Sequence, residues 1–511
     1  MTKTLFCLLF VLDLILAGFL GITAFQTHLI PNYLVAVATA MLVLIPLLLF
    51  LLQREKNGEK SKSGFRIAAI VILLFFSLAE GAMGYFLHHY NSSVSKMTEV
   101  RTQITRVELY VKKDDRAQTI EYAVESKYRI GILEGMDEDA VSHAREQIEK
   151  QHGRTMQLRG YRSLADLVKA LDEGQIDAVM ISSAYLELIE SLEGYEGFSQ
   201  ELRSLYTGSV QTEIVSEPFP EPPEEEEAVD LGLREPELWK ESFCTYISGI
   251  DTFGPVTTRS RSDVNILAIV NTETKTVLLI STPRDYYVPF RFSPANGAMD
   301  KLTHAGIYGI EASMRALGDY YELPVHYYLR VNFSGFMDII DTLGGVDVDS
   351  DADFASSGHV FHKGMNHLNG EEALGFVRNR YSFLEGDRAR GRHQMAVIKG
   401  LVNGLMSSRA ITNYAELMDE FADCLQTNAS KAMVGDLVQL TLDRSSGDWK
   451  VLTYSADGVG TTDYAYSLGC FAYVMVPNEK TVQYARDLVE AVLTGETMTQ
   501  EELQNNAPRI R

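Results

Sequence analysis

Residues 263–288 read DVNILAIVNTETKTVLLISTPRDYYV. Two apolar runs, DVNILAIVN and TVLLIST, flank the turn-like NTETK, a pattern that predicts two neighbouring strands. Working outward, YYLRVNF from Tyr327 and ALGFVRNRY from Ala373 read as further strands. Helices are predicted at SGFMDIIDTL, GDRARGRHQMAVIKGLVNGLM and TVQYARDLVEAVL. The fold class that follows is mixed α/β, with a central sheet flanked by helices. TVLLIST empties into TPRDYYVPF, so Arg284 and Asp285 fall just beyond the carboxyl end of a strand, where ligands of α/β sheets often bind.

The chain has 511 residues and a formal net charge of −23, enough length for two or three domains besides any membrane part. That acidity argues against non-specific nucleic-acid binding, which needs a broad basic surface. Three apolar stretches, 4–25, 33–52 and 65 to about 87, are each long enough to cross a bilayer, so residues 1–90 are expected to form an anchor of three transmembrane helices. The connection REKNGEKSKSGFR is strongly basic, whereas QTHLIPN has neither Lys nor Arg. The basic loop is therefore expected inside, with the large C-terminal part outside the cell. Asp13 and Glu80 lie within the spans, where ionisable groups are costly and either pack helices or mark function.

Residues 104–215 alternate strands and helices and predict a small accessory α/β domain: ITRVELYVKK, YRIGIL and IDAVMIS as strands, DEDAVSHAREQIEKQ and SLADLVKALDEG as helices. A Pro/Glu-rich linker, 216–235, follows and cannot bury apolar surface. The largest domain is expected over 236–497, with a tail over 498–511. Of four cysteines, Cys244, Cys424 and Cys470 fall in the exported part, where one disulfide among the three is compatible with the compartment.

Candidate chemistry concentrates in two places. GFVRNRYSFLEGDRARGRHQ, residues 375–394, gathers Arg378, Arg380, Arg388, Arg390 and Arg392. Read as a strand, its first part sends Arg378 and Arg380 to one side. In the following helix Asp387, Arg390 and Gln394 share one stripe, and Arg388 and Arg392 another. Guanidiniums grouped this way recognise phosphate oxygens as two-donor forks, so a pyrophosphate-like anion is one reading. Pairing with surface carboxylates is the other. Upstream, SGIDTFGPVTTRSRSDVNIL offers Asp251 and Asp263 as oxygen donors for a magnesium ion, with Arg259 and Arg261 between them. A turn cap at Asp251 and a surface ion pair at Asp263 would also account for them. Lys301 and His304 follow in DKLTHAG, a lone His being more often structural. The sequence has no GxSxG, HExxH or P-loop motif, which removes the usual support for nucleophilic hydrolases and nucleotide triphosphatases.

Taken together, SRSDVNIL, LLISTPRDYYV, DKLTHAG, NFSGFMDIIDTLGGVDVD and LNGEEALGFVRNRYSFLEGDRARGRHQ resemble the LytR-CpsA-Psr family of Gram-positive cell-envelope proteins, over about residues 247–405. The resemblance implies a glycan phosphotransferase. Its donor would be a polyprenyl-pyrophosphate-linked glycan, its acceptor a hydroxyl of peptidoglycan, its cofactor Mg2+, and the lipid tail would lie in an apolar tunnel. It further implies Asp251 and Asp263 as metal ligands, with Arg261, Arg284, Lys301, Arg378, Arg380, Arg390 and Gln394 around the pyrophosphate. Asp387, Arg390 and Arg284 are then the catalytic candidates, Asp387 as a base. Three membrane helices plus an accessory domain resemble the capsule-associated members, favouring capsular or related surface polysaccharide over teichoic acid. A non-catalytic glycan-lipid binding or regulatory protein, and a lipid pyrophosphatase, stay open at this level.

Overall fold

A computed structural model describes residues 2–27, 29, 32–52, 63–99, 102–214, 242–250, 255–379, 387–405, 413–442 and 449–508; the side chains of Asp387 and Arg388 fall outside that description. The expected linker 216–235, Asp251 and Arg380 also lie outside the described residues. The chain divides into two compact units. One comprises Met1–Glu99, Ile411–Asp423 and Ala429–Asp448, the other Val100–Ala410, Cys424–Asn428 and Trp449–Arg511.

In the first unit, helices α1 (Thr2–Thr27), α2 (Asn32–Leu52) and α3 (Ser63–Glu99) are each long and apolar enough to cross a membrane. Their outward positions carry exposed Leu, Ile, Val and Phe, the reverse of a soluble bundle and the arrangement lipid requires. Asp13 is fully buried and accepts a hydrogen bond from Ser77 Oγ at 3.1 Å, a helix-packing contact between α1 and α3. With 37 residues α3 runs past the expected end of the anchor at residue 90. Its last turns carry His89, Lys96 and Ser95, which meet Asp419, Asp423 and Lys431 of the segments that return to this unit.

The second unit holds two sheets. The accessory sheet has the order β3-β2-β4-β1-β5, from β1 (Thr102–Lys112), β2 (Arg129–Leu133), β3 (Gln157–Tyr161), β4 (Ala178–Ser182) and β5 (Leu202–Glu213). Helices α4 (Ile120–Glu125), α5 (Glu138–His152), α6 (Leu164–Asp172) and α7 (Leu186–Ile189) connect its strands. Parallel pairing of β2 with β3 and β4, through helical crossovers, gives the α/β character that the alternating pattern predicts.

The larger sheet is mixed and six-stranded, in the order β16-β11-β6-β7-β8-β17. Its centre is β6 (Ser242–Ile250), β7 (Ser262–Asn271) and β8 (Thr276–Ser281), an antiparallel meander. β9 (Tyr287–Phe290) and β10 (Ala298–Lys301) form a separate ribbon, followed by the 3₁₀ segment Leu302–Tyr308 and α8 (Ile310–Tyr321). β11 (Tyr327–Asn332) runs parallel to β6 and feeds α9 (Phe333–Thr342), whose N-cap Asn332 accepts from the Gly335 amide. Two small ribbons, β12 (Val346–Ser350) with β15 (Gly364–Leu368) and β13 (Phe354–Ser356) with β14 (His359–Phe361), precede α10 (Gly370–Arg378) and α11 (Asp387–Leu405). β16 (Leu425–Thr427), β17 (Lys450–Ser455) and the hairpin of β18 (Gly458–Ala465) and β19 (Cys470–Pro477) complete the strands.

Both faces of this sheet are covered, as strands that are apolar nearly throughout require. One face packs Tyr246, Leu267, Ile269, Leu278, Ile280 and Tyr328 against α8 and helix Glu479–Leu493. The other presents Ile266, Ala268 and Leu279 to Met395 and Ile398 of α11, with half-buried Ile247, Val264, Val277 and Val451 around them. The domain reaches beyond residue 497. Instead of a tail, helix Gln500–Asn506 begins at a Thr499 capping box, buries Leu503 in the core and hydrogen-bonds Thr453 through the Gln500 amide. All four cysteines are free thiols, Cys244 and Cys424 buried, so no disulfide joins any two of Cys244, Cys424 and Cys470.

Residues 373–379 of ALGFVRNRY do not form a strand. Residues 370–378 form α10, because Asn369 and Glu372 build a capping box and Ala373, Phe376 and Val377 bury themselves at helical spacing. The alternation that placed Arg378 and Arg380 on one side of a strand therefore fails. Arg378 is the last helical residue and lies over the Phe333 ring, 4.6 Å from its centroid.

Candidate functional site: a buried carboxylate among arginines

The candidate site forms where β7 begins and β8 ends. Asp263 is the second residue of β7, and Arg284 follows the end of β8, so antiparallel pairing of the two strands brings the segments together. Arg284 Nη1 donates to Asp263 Oδ1 at 2.7 Å, and Thr303 Oγ1 lies 3.3 Å from the same oxygen. α11 contributes Arg390, whose Nη2 donates to the Asp263 carbonyl at 3.1 Å and stands 3.7 Å from Oδ2. Asp263 and Arg390 side chains are each 5% exposed and that of Arg284 16%, so Asp263 is not the surface ion pair that its spacing allowed. Burial raises the Asp263 carboxyl, but the guanidiniums of Arg284, Arg390 and Arg261 outweigh it and hold the group well below the ordinary range.

Two glycines make this approach feasible. A Cβ on Gly391 would lie 2.5 Å from Ser281 Oγ and 3.0 Å from Ser455 Oγ, so a larger residue there requires these hydroxyls or α11 to move. A Cβ on Gly306 would lie 2.5 Å from the Ser260 carbonyl, and the 3₁₀ segment carrying Thr303 rides against the residues that lead into Asp263.

Around this centre Asp285 lies 3.9 Å from both Arg284 Nε and Lys301 Nζ. Burial pushes the Lys301 ammonium below its ordinary pKa, with Arg284 and Arg261 adding to that, although Asp285 and Asp300 oppose it. Gln394 is buried one turn after Arg390 on α11. Arg392 turns away and donates to Asp351 at 3.0 Å. His304 is a structural residue: Nδ1 meets Asp300 Oδ1 at 2.7 Å, and Asp300 Oδ2 accepts from the Ser467 amide. The structure thus brings together Asp263, Arg284, Arg390, Lys301 and Arg261. Arg378, the last residue of α10, lies over Phe333, and Asp387 opens α11.

Thr303 and Glu187 are members that sequence reasoning did not single out. Thr303 stands two places after Lys301 in DKLTHAG, a signal available in the motif. Glu187 accepts from Arg261 Nε at 2.9 Å from another domain, 74 residues away, and no local pattern announces it.

The donor set bears on magnesium. Asp263 Oδ1 is taken by Arg284 and Thr303, whereas Oδ2 has Arg390 Nη2 only at 3.7 Å. Among the described residues no group of three or more His, Cys, Asp or Glu could hold a metal ion by itself. This fits an ion that takes one or two carboxylates and completes its shell with phosphate oxygens and water.

A buried carboxylate among arginines at a strand end, beside an apolar sheet face and in a chain with three membrane-length helices, defines a mixed α/β protein. The sequence pattern of the LytR_cpsA_psr family matches residues 221–478, half of the chain, and the protein belongs to that family. A relative from Enterococcus faecalis, the polyisoprenyl-teichoic acid–peptidoglycan teichoic acid transferase TagU, is 34% identical over 224 residues, 43% of this chain and 72% of that protein. The Bacillus cereus protein of the same name is 33% identical over 190 residues, covering 37% of this chain and 61% of that one. The crystal structure of B. subtilis TagV aligns at 25% identity over 51% of this chain and 99% of that chain, with a TM-score of 0.40.

Proposed function

We propose that the protein transfers a glycan polymer from a polyprenyl-pyrophosphate carrier to a peptidoglycan hydroxyl, forming a phosphodiester and releasing polyprenyl phosphate. The observation that carries this reading is the Asp263–Arg284–Arg390 cluster, with Lys301 and Arg261 beside it, directly next to the half-buried apolar strip of Val264, Ile247 and Val277. Asp263 is the extra residue of a bulge, since Ser262 pairs with Ile250 and Val264 with Gly249, so a charged and an apolar side chain meet at one point of β7. A pyrophosphate head and a prenyl tail have the same division. The printed names of the relatives support the same donor and acceptor classes.

Phosphoryl transfer depends on charge neutralisation and in-line positioning more than on a protein nucleophile. The acceptor oxygen forms a bond to the glycan-side phosphorus, the bond to the bridging oxygen breaks, and the electron pair leaves with polyprenyl phosphate. Arg284, Arg390 and Arg261 stay charged throughout and stabilise the charge on the phosphate oxygens. Lys301 adds a positive point charge. Asp387 is the proposed acceptor of the hydroxyl proton. Asp263, with Asp251, would hold Mg2+, which supplies additional neutralisation of the pyrophosphate when bound.

The membrane anchor would hold the site outside the cell, in two-dimensional contact with its lipid carrier. Relatives' names favour a teichoic acid as the polymer; the three helices and accessory domain favour a capsular or related polysaccharide. Both donors therefore belong in the test. Purified full-length protein in detergent, given each polyprenyl-pyrophosphate glycan, Mg2+ and peptidoglycan, is expected to yield a glycan phosphodiester. Phosphate-ended glycan released without acceptor would instead indicate a pyrophosphatase, and binding without product a carrier.

A further inference from the structure

The accessory domain reaches into the candidate site. The segment that leads into β7, and so into Asp263, is tied to accessory strand β1 by backbone hydrogen bonds from Ile104 N to Thr257 O at 2.8 Å and from Arg259 N to Ile104 O at 2.9 Å. Arg259 Nη1 then donates to Asp137 Oδ1 at 2.6 Å and Thr105 Oγ1 at 3.1 Å, while its Nη2 donates to the Ile307 carbonyl. Two residues on, Arg261 Nε donates to Glu187 Oε2 at 2.9 Å. Glu187 sits on α7, immediately after β4, between Tyr185 and the pair Leu188 and Ile189, all buried. Those residues share one core with Ile307, Ala465 and Leu468 of the larger domain, so the backbone that carries Glu187 is fixed relative to the site.

The contact uses one edge of the guanidinium. Among the described residues the Arg261 side chain makes no other hydrogen bond, and it keeps 16% of its surface exposed. The Nη edge, which offers two parallel N–H donors, therefore remains for a ligand. A carboxylate that merely took the place of a phosphate would engage that fork. One that holds Nε leaves the fork aimed.

We infer that Glu187 of the accessory domain is a positioning residue for anion binding: it fixes Arg261 through Nε so that the Nη fork faces the pyrophosphate. The accessory domain is thus part of the wall of the site. This rests on the proposed polyprenyl-pyrophosphate reading and adds to it a residue from outside the LytR_cpsA_psr match, which begins at residue 221. Charge and orientation pull in opposite directions here, which makes the sign of the effect diagnostic. Removing a nearby negative charge favours an anion; releasing the arginine disfavours it.

The test is calorimetric titration of the full-length protein in detergent with farnesyl pyrophosphate, at neutral pH. E187A is expected to weaken binding about tenfold, the scale of one lost charge-assisted hydrogen bond. E187Q, whose amide oxygen still accepts from Nε, is expected to recover most of the affinity. R261A weakens binding, and E187A adds nothing on that background. Unchanged or tighter binding by E187A, or an E187A effect that persists with R261A, overturns the inference while leaving the donor class intact. If E187A does not fold, E187D decides by the same signs. Failure of the wild type to bind farnesyl pyrophosphate overturns the proposed function itself, and the inference with it.

Discussion

Replacing Asp263 by asparagine keeps the shape of the side chain and removes a carboxylate that Arg284 and Arg390 share. Both cations lose that partner in a site where Arg284 is 16% and Arg390 5% exposed, Arg284 keeping Asp285 at 3.9 Å. Removing one partner of a buried pair costs about 3–5 kcal/mol, and the partial exposure of Arg284 argues for the low end, about 3 kcal/mol. At roughly 2–4 °C per kcal/mol for a domain of this size, the unfolding midpoint should fall by roughly 6–12 °C. The assay is thermal unfolding of full-length Asp263→Asn protein in detergent, with and without inorganic pyrophosphate. An added anion replaces the missing charge, so pyrophosphate should raise the midpoint of the variant more than that of the wild type. Acid titration gives a second readout. The Asp263 pKa is depressed in the fold, so its contribution is complete above the ordinary value of 3.8 and is lost as pH falls through the lower native value. The gap between wild type and variant should therefore be full at neutral pH and close only below 3.8. A midpoint within about 1 °C of wild type at neutral pH would refute the electrostatic account, since that is less than about 0.5 kcal/mol.

Three further outcomes follow from the same geometry. Gly391→Ala puts a methyl group 2.5 Å from Ser281 Oγ, so that hydroxyl must rotate or α11 must shift; overpacking of this kind costs about 1 kcal/mol where the hydroxyl gives way, and farnesyl pyrophosphate affinity should fall to the extent that Arg390 is displaced. Lys301 has its pKa lowered in the free protein, so pyrophosphate affinity should begin to fall at a pH below the ordinary 10.5; Lys301→Arg should abolish that alkaline limb, and its persistence would remove Lys301 from the site. Arg378→Lys keeps the charge but loses the planar group that lies over Phe333, so it should reduce donor affinity more than it lowers the unfolding midpoint, and unchanged affinity would exclude Arg378 from phosphate binding.

Much of the site was legible because its parts are local signals. TVLLIST followed by PRD reads as a strand end with a charged loop, and Arg390 and Gln394 share a helical stripe from which Arg392 is excluded. The error at 373–381 has a local cause too. Its last residues alternate like a strand, but the Asn369–Glu372 cap upstream had already committed the segment to a helix. The burial of Asp263 was not legible, because two residues beside arginines read equally well as a surface pair until α11 covers them.

The sequence by itself marked the strands at 263–281 and 327–332, the helices at 333–342 and 387–405 and the three membrane-length spans, because periodicity and capping act over a few residues. It also marked Arg284, Arg390 and Lys301 as unusual, since basic residues stand out in a chain of net charge −23. Tertiary structure alone decided that Arg284 and Arg390 converge on one carboxylate, and that Glu187 reaches Arg261 across 74 residues. Such contacts depend on how covered sheet faces and a shared core bring distant segments together. Nothing in the spacing of residues along the chain encodes that.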